Sequence, residues 1–247
     1  MEILGIDIGG TGIKGAIVDT SKGELVTDRY RLETPQPATP EAVVETVNDL
    51  VEHFNWNGYI GSGFPAAMKH DVVKTASNIT KEWIGLNAAQ LIMAKTGCQA
   101  HLVNDVDAAG YAEIKHGAGK GNTGTIIVLA AGTGIGSAIF TEGILYPNTE
   151  LGFVMVNDIY GEHYASNAVK ERESLKWREW ASRFNEYLLR VESLFWPDLF
   201  ILGGGVSKKF EKFSEYFTTE APVVPATMKN NAGIIGAAVA ARHHFTK

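Results

Sequence analysis

The chain is predicted to be an α/β protein built from two related halves, and three observations carry that prediction. First, the apolar run Ile3-Leu4-Gly5-Ile6 enters Asp7-Ile8-Gly9-Gly10-Thr11-Gly12-Ile13-Lys14-Gly15 and leaves through Ala16-Ile17-Val18, the pattern of two strands joined by a glycine turn. Second, Gly132-Thr133-Gly134-Ile135-Gly136-Ser137-Ala138-Ile139 repeats Gly10-Thr11-Gly12-Ile13-Lys14-Gly15-Ala16-Ile17, changed only at the positions of Lys14 and Gly15. So distant a repeat indicates duplicated halves, since a solenoid has a far shorter period. Third, short β-rich runs alternate with segments of helical spacing along the chain.

In order, Ser21-Lys22-Gly23 turns after the first hairpin, and Leu25 to Leu32 reads as a third strand. Thr39 is a good N-cap and Pro40 a good first helical residue, with Val43, Val44, Val47, Leu50, Val51 and Phe54 at helical spacing behind them. Tyr59 to Phe64 is a strand, and residues 69–78 form a polar stretch without clear period, the kind of loop that often carries a site. Asn87 caps a helix over Ala88 to Lys95, closed by Gly97. His101-Leu102-Val103 is a strand ending at Asn104-Asp105, with helix from Ala108 to Lys115. Residues 117–122 read as a linker and domain boundary. The second glycine hairpin comes next, then the polar loop Pro147 to Gly152. Leu175 to Phe195 is a long amphipathic helix whose Trp177, Trp180, Phe184, Leu188 and Val191 face a core. Asp198 to Leu202 is a buried strand that turns at Gly203-Gly204-Gly205 into helix. Val223-Val224 is the last strand, and a final helix runs from Ile234 to Phe245.

Composition narrows the function. The 247 residues suffice for one large or two moderate domains, and the net charge of −6 argues against general nucleic-acid or anionic-membrane binding. Cys98 is the only cysteine, which excludes an intramolecular disulfide and a cysteine-based zinc site and suits a reducing, cytoplasmic setting. No run reads as a signal peptide or a membrane helix.

The glycine turns carry the chemistry. Four glycines between Gly9 and Gly15 bare the backbone, so that its N–H groups can approach an anion; Thr11 adds a hydroxyl and Lys14 a positive charge. Asp7, at the strand end, could hold a hydrated metal ion. A Rossmann loop would run into a helix, and a Walker loop would need Ser or Thr after its lysine, where this chain has Gly15. Two such turns, one per half, can grip one phosphate chain from both sides. Asp105, at the carboxyl end of an inner strand, stands where α/β folds place chemistry, although a helix N-cap fits the same position. The run Gly203 to Ser207 suits a phosphorylated ligand at a helix start.

Taken together, the motifs DIGGTGIKGA, FPAAMKH with ASNI and EWIG, VNDVDAAG, GTGIGSAIF, PNTELG, PDLFILGGGVSK and NNAGIIGAA resemble, in order and over nearly the whole chain, the ROK sugar kinases of the actin-like ATPase superfamily, and within them the polyphosphate glucokinase branch. The resemblance implies a duplicated actin-like (ribonuclease H-like) fold, with two domains on mixed five-stranded sheets and a cleft between them. The domains would span 1–116 and 117–232, with the helix 233–247 packing back on the first. It implies Asp105 as the general base for a sugar hydroxyl, and Asn78, Asn104, Asp105, Glu150 and Glu162 as sugar ligands. Gly9, Gly10, Thr11, Gly12, Ile13 and Lys14, with Gly132, Thr133 and Gly134, would hold the phosphoryl donor, polyphosphate or ATP. Gly204 and its neighbour Gly205 would meet the adenosine of ATP, and Asp7 would act on Mg²⁺, directly or through water. A homodimer is implied as well, without zinc and without a nucleic-acid or membrane partner.

One departure bears on the substrate. The family usually has His after Glu-Leu-Gly, and here Glu150-Leu151-Gly152 is followed by Phe153. A phenyl ring cannot hydrogen-bond a sugar hydroxyl, and an unpaired buried polar group costs about 1–3 kcal/mol. Weak glucose use, a different hexose, or a sugar- or nucleotide-binding module with weakened catalysis would each fit. His163, beside Glu162, could compensate. For the donor, Lys69, His70, Lys74, Lys81 and Lys120 could line a groove for polyphosphate. A filament-forming or regulatory ATPase would have no use for the sugar set.

Overall fold

The structure, a computed structural model, describes residues 1–77 and 79–246. The first glycine turn, residues 9–12, joins β1 (Glu2–Ile8) to β2 (Ile13–Asp19), which pair antiparallel with Asp7 opposite Lys14. The stretch expected to be one strand is divided into β3 (Glu24–Leu25) and β4 (Tyr30–Leu32), both paired with β2. The division has a local cause: the Val26 amide donates to Ile17 O and the Ile17 amide to Thr27 Oγ1, so the chain bulges out and re-enters the same ladder.

Helix α1 (Pro40–His53) starts at Thr39, whose side chain accepts from the Ala42 amide, and buries Val43, Val44, Val47, Leu50 and Val51. Strand β5 (Ile60–Phe64) runs parallel to β1. The polar stretch after it contains a tight hairpin, β6 (Met68–Lys69) and β7 (Val72–Val73), turned by His70 and Asp71 at φ 52° and 61°. Helix α2 (Ala88–Thr96) lies between an Asn87 cap and Gly97 at φ 73°. Strand β8 (Ala100–Asn104) lies parallel to β5 and passes directly into α3 (Asp105–His116), which opens three residues before Ala108 because Asn104 caps it. The first sheet has the order β3-β2-β1-β5-β8, with β4 also on β2, so it holds six strands where five were expected.

The second sheet repeats this plan with five strands. The turn at 132–134 joins β9 (Thr125–Ala131) to β10 (Ile135–Thr141), and β11 (Ile144–Tyr146) pairs beyond them. A small hairpin, β12 (Met155–Val156) and β13 (Ile159–Tyr160), leads into α4 (Gly161–Ala165), α5 (Asn167–Arg172) and α6 (Trp177–Phe195). Trp180, Phe184, Tyr187, Leu188 and Val191 of α6 are fully buried in one core with Ile127, Leu129 and Phe200. Trp177 is only partly buried, stacked on Phe213 at 5.2 Å. Strands β14 (Leu199–Gly203) and β15 (Val223–Pro225) continue β9 in parallel, giving β11-β10-β9-β14-β15. After β14 the helix is of the tighter 3₁₀ kind, Gly205–Lys212, and is broken at Lys209.

The last helix, α7 (Ala232–Phe245), packs on the first sheet. A Cβ on Gly5 would run into the Ile234 backbone and one on Gly61 into that of Ala237, so glycines of the sheet let it touch the backbone of α7; one on Gly236 would run into that of Ala108, so a glycine of α7 lets it touch α3. The chain divides into two compact units, residues 1–112 with 230–247, and residues 113–229. Among the described residues no helix is long and apolar enough to cross a membrane.

Candidate active site

In the first unit, Asp7 stands one residue before the end of β1 with its carboxylate 3.4 Å from Lys14 Nζ. A Cβ on Gly233 would lie 2.9 Å from Asp7 Cγ, so the opening turn of α7 abuts this carboxylate, where the helix dipole favours negative charge. The turn itself is oriented by side chains from one short segment. Gly9 O accepts from Thr34 Oγ1 at 2.5 Å, Gly10 O from Gln36 Nε2 at 3.3 Å, and Thr11 O from Arg31 Nη2 at 2.6 Å. In a trans peptide the next N–H points opposite to the carbonyl. Each tethered carbonyl thereby fixes the direction of the amide that follows it, those of Gly10, Thr11 and Gly12, as an anion cradle requires.

Asn104 and Asp105 divide two tasks that sequence position left open. Asn104 Oδ1 accepts from the amides of Val106 at 2.9 Å and Asp107 at 3.3 Å, so Asn104 is the cap of α3, and its Nδ2 donates to Ala66 O at 3.4 Å. Asp105 is the first residue of the helix, partly exposed, with Oδ1 accepting from Val106 N at 2.9 Å. Asn78 lies outside the described residues.

In the second unit, the turn closes as the first does: Gly132 N donates to Gly134 O at 2.9 Å, as Gly9 N donates to Gly12 O at 3.1 Å. Its bare glycine has a different neighbour, however. The Glu162 carboxylate occupies the place where a Gly134 Cβ would go and lies 3.4 Å from that of Gly152. The side of Gly134 that Glu162 covers is therefore closed to phosphate, and an anion can reach this turn only from the other side. Ile13 and Thr133 complete the turns; Ile13 is fully buried and anchors its turn in the core.

Glu150 precedes a single 3₁₀ turn, Leu151–Phe153. Its carboxyl titrates above the usual range, first because solvent is excluded around it and second because Glu162 is nearby. His163 Nε2 is 3.6 Å from Glu162 Oε1. Phe153 is half exposed and meets Tyr160 edge to face at 5.4 Å, and Tyr160 meets His163 at 5.8 Å, so an aromatic edge borders the acid pair. Gly204, at φ 80°, has no room for a Cβ against the Ala131 backbone, which puts it beside the start of the second turn; Gly205 faces open space.

Two features escaped sequence reading. The tether of Arg31, Thr34 and Gln36 depends on the register of β4, hidden while residues 25–32 read as one strand. Tyr187 sits among the apolar residues of α6, fully buried; its hydroxyl has no hydrogen-bond partner among the described residues, and its ring packs where a Gly161 Cβ would go. Its helical spacing from Phe184 and Val191 was the available signal.

Among the described residues no group of three or more His, Cys, Asp or Glu side chains could hold a metal ion. A lone carboxylate such as Asp7 fits Mg²⁺, which keeps waters and takes its other ligands from phosphate oxygens.

Comparison with known proteins agrees with this architecture. The profile of the ROK family matches residues 3–158. The chain is 48% identical to a polyphosphate glucokinase of Mycobacterium tuberculosis over 238 residues, 96% of this chain and 90% of the relative. Its fold superposes on the crystal structure of an inorganic polyphosphate/ATP-glucomannokinase from Arthrobacter sp. strain KM with a TM-score of 0.91 and 42% identity, covering 98% of this chain and 99% of that one. A ROK family glucokinase from Streptomyces griseus, solved with glucose and AMPPNP, shares the fold at a TM-score of 0.81 and 24% identity, covering 98% and 100%. The match of the family profile to well over half the sequence, with near-complete coverage by these relatives, shows that the chain belongs to the ROK family.

Proposed function

We propose that this protein is a sugar kinase that transfers a phosphoryl group from polyphosphate or ATP to a hexose hydroxyl, glucose O6 foremost. The observation that carries this is 48% identity to a polyphosphate glucokinase over 96% of the chain. In the proposed mechanism Asp105 accepts the proton of the sugar hydroxyl as its oxygen bonds to the terminal phosphorus. The bond from that phosphorus to the bridging oxygen breaks, leaving ADP or a polyphosphate shorter by one unit. Phosphoryl transfer depends on positioning and on stabilising charge. Residues 9–14 and 132–134 border the donor, supplying the Lys14 cation and the amides their turns leave unspent, with those of Gly9 and Gly132 closing the turns, and Gly204 and Gly205 border the nucleoside when ATP is the donor. Asn78, Asn104, Asp105, Glu150 and Glu162 hold the sugar. Mg²⁺, when bound, would neutralise phosphate charge; Asp7 is the residue to hold it, directly or through water. The two compact units serve as the two domains, and a cytoplasmic homodimer completes the reading.

Glucose O6 is tested by assaying a panel of hexoses against both donors, scored for sugar phosphate. The base is tested by Asp105→Asn, which should keep its thermal midpoint and lose about 10²–10⁴-fold in kcat. A variant as active as the parent would remove Asp105 from the mechanism. A second reading, a kinase for another hexose, is favoured by Phe153, whose exposed ring offers no hydrogen bond beside Glu150. Phe153→His in the same panel should raise glucose use if this position sets the substrate.

A further inference from the structure

A row of three charges crosses the first sheet beside its glycine turn. Asp7 of β1 is opposite Lys14 of β2, and Lys14 is opposite Arg31 of β4. Directly opposed residues share a face of the sheet, and like charges so opposed destabilise it. Lys14 has Asp7 at 3.4 Å. Arg31 is in no ion pair among the described residues, and its side chain is exposed. It is nevertheless held in place. Nη2 donates to Thr11 O at 2.6 Å, and the guanidinium lies over Gly12, where a Cβ would fall 2.7 Å from Nη2 and 2.8 Å from Cζ. Gly12 thus makes room for an arginine at the rim of the turn. A guanidinium has five N–H donors in a rigid fork, so one bond to Thr11 leaves the rest free to meet an anion.

We propose that Arg31 is a phosphate-binding residue of the donor site, gripping with Lys14 the linked phosphates of polyphosphate or ATP. The proposal rests on the reading that the first glycine turn receives the donor. An anion shared by the two cations removes their mutual repulsion, and the planar fork suits phosphate oxygens better than a single ammonium does.

The test is steady-state kinetics of the full chain with each donor, for Arg31→Gln, Arg31→Lys and Lys14→Gln, with thermal midpoints recorded. Arg31→Gln should raise the donor KM about tenfold or more, the loss of one strong contact. The glucose KM should stay within about twofold, and Arg31→Lys should recover part of the loss. If Lys14→Gln raises the donor KM and Arg31→Gln does not, Arg31 touches no phosphate and the proposal fails alone. If neither moves it, the first turn does not receive the donor, and the proposal falls with that reading. If Arg31→Gln raises donor and sugar KM alike, lowers the midpoint and is not rescued by lysine, Arg31 only holds the turn, which also overturns the proposal. Should Arg31→Gln not fold, Arg31→Lys decides: weaker binding of inorganic tripolyphosphate by calorimetry supports the proposal, and unchanged binding refutes it.

Discussion

Glu150 and Glu162 show how one acid sets the charge of another. Exclusion of solvent, then the charge of Glu162, holds the Glu150 carboxyl above its usual range. A carboxyl raised on folding stabilises the fold in acid, and that contribution is lost as pH rises through the ordinary glutamate value to the raised one. A Glu150 that accepts sugar hydroxyls must be ionised, so the acidic limb of the kcat/KM profile for the sugar should report it. Glu162→Gln removes the neighbouring charge and should let Glu150 ionise at lower pH. Activity will fall, since Glu162 is itself a proposed ligand, but the limb should move toward acid. A limb that stays in place would assign the titration to another group. The resemblance put Glu150 and Glu162 in one sugar set, but the effect of one charge on the other was not legible in the sequence, because the two residues are joined by the β12–β13 hairpin, which only folding closes. Phe153 was legible as a departure; its contact with Tyr160 was not.

At the scale of elements, α7 shows why some glycines serve packing and others do not. Gly5, Gly61 and Gly236 each face backbone where a Cβ would go, and backbone cannot turn aside as a side chain can. Gly5→Ala should therefore cost about 1–3 kcal/mol or more, read as a lower thermal or denaturant midpoint. Gly203→Ala, whose Cβ would meet only ordinary contacts at 3.6 Å and 3.8 Å, should leave the midpoint nearly unchanged. Equal losses in both variants would undo this account of helix packing. The caps of α1 and α2 could be read from Thr39, Pro40, Asn87 and Gly97, because capping is a local bond. The split at β3 and β4 could not, since it follows from pairing with β2.

For the whole molecule, the two sheets share one plan: an antiparallel hairpin around a glycine turn, then two parallel strands. Glucose without donor should stabilise the protein by mass action, about 2.7 kcal/mol at a hundred times its Kd. For a chain of this size that is a rise of about 5–10 °C in the thermal midpoint, measured by calorimetry. No shift with glucose, joined to a clear shift with another hexose, would move the substrate to that hexose.

By itself the sequence determined the duplicated plan, both glycine turns, the capped helices and the place of Asp105 just after a strand; the strand expected to be an inner one, β8, lies at the edge of its sheet, because nothing local in the letters sets strand order. Those features rest on period, on local capping and on a repeat visible in the letters. The tertiary structure decided what fills the space over each glycine: Arg31 over Gly12, Glu162 over Gly134 and the backbone of α7 over Gly5 and Gly61. It also gave the helix cap to Asn104, leaving Asp105 as the first residue of α3. The physical reason is that a missing side chain announces empty space but does not say what occupies it. The occupant comes from strands and helices far along the chain, and only their pairing and register bring it there.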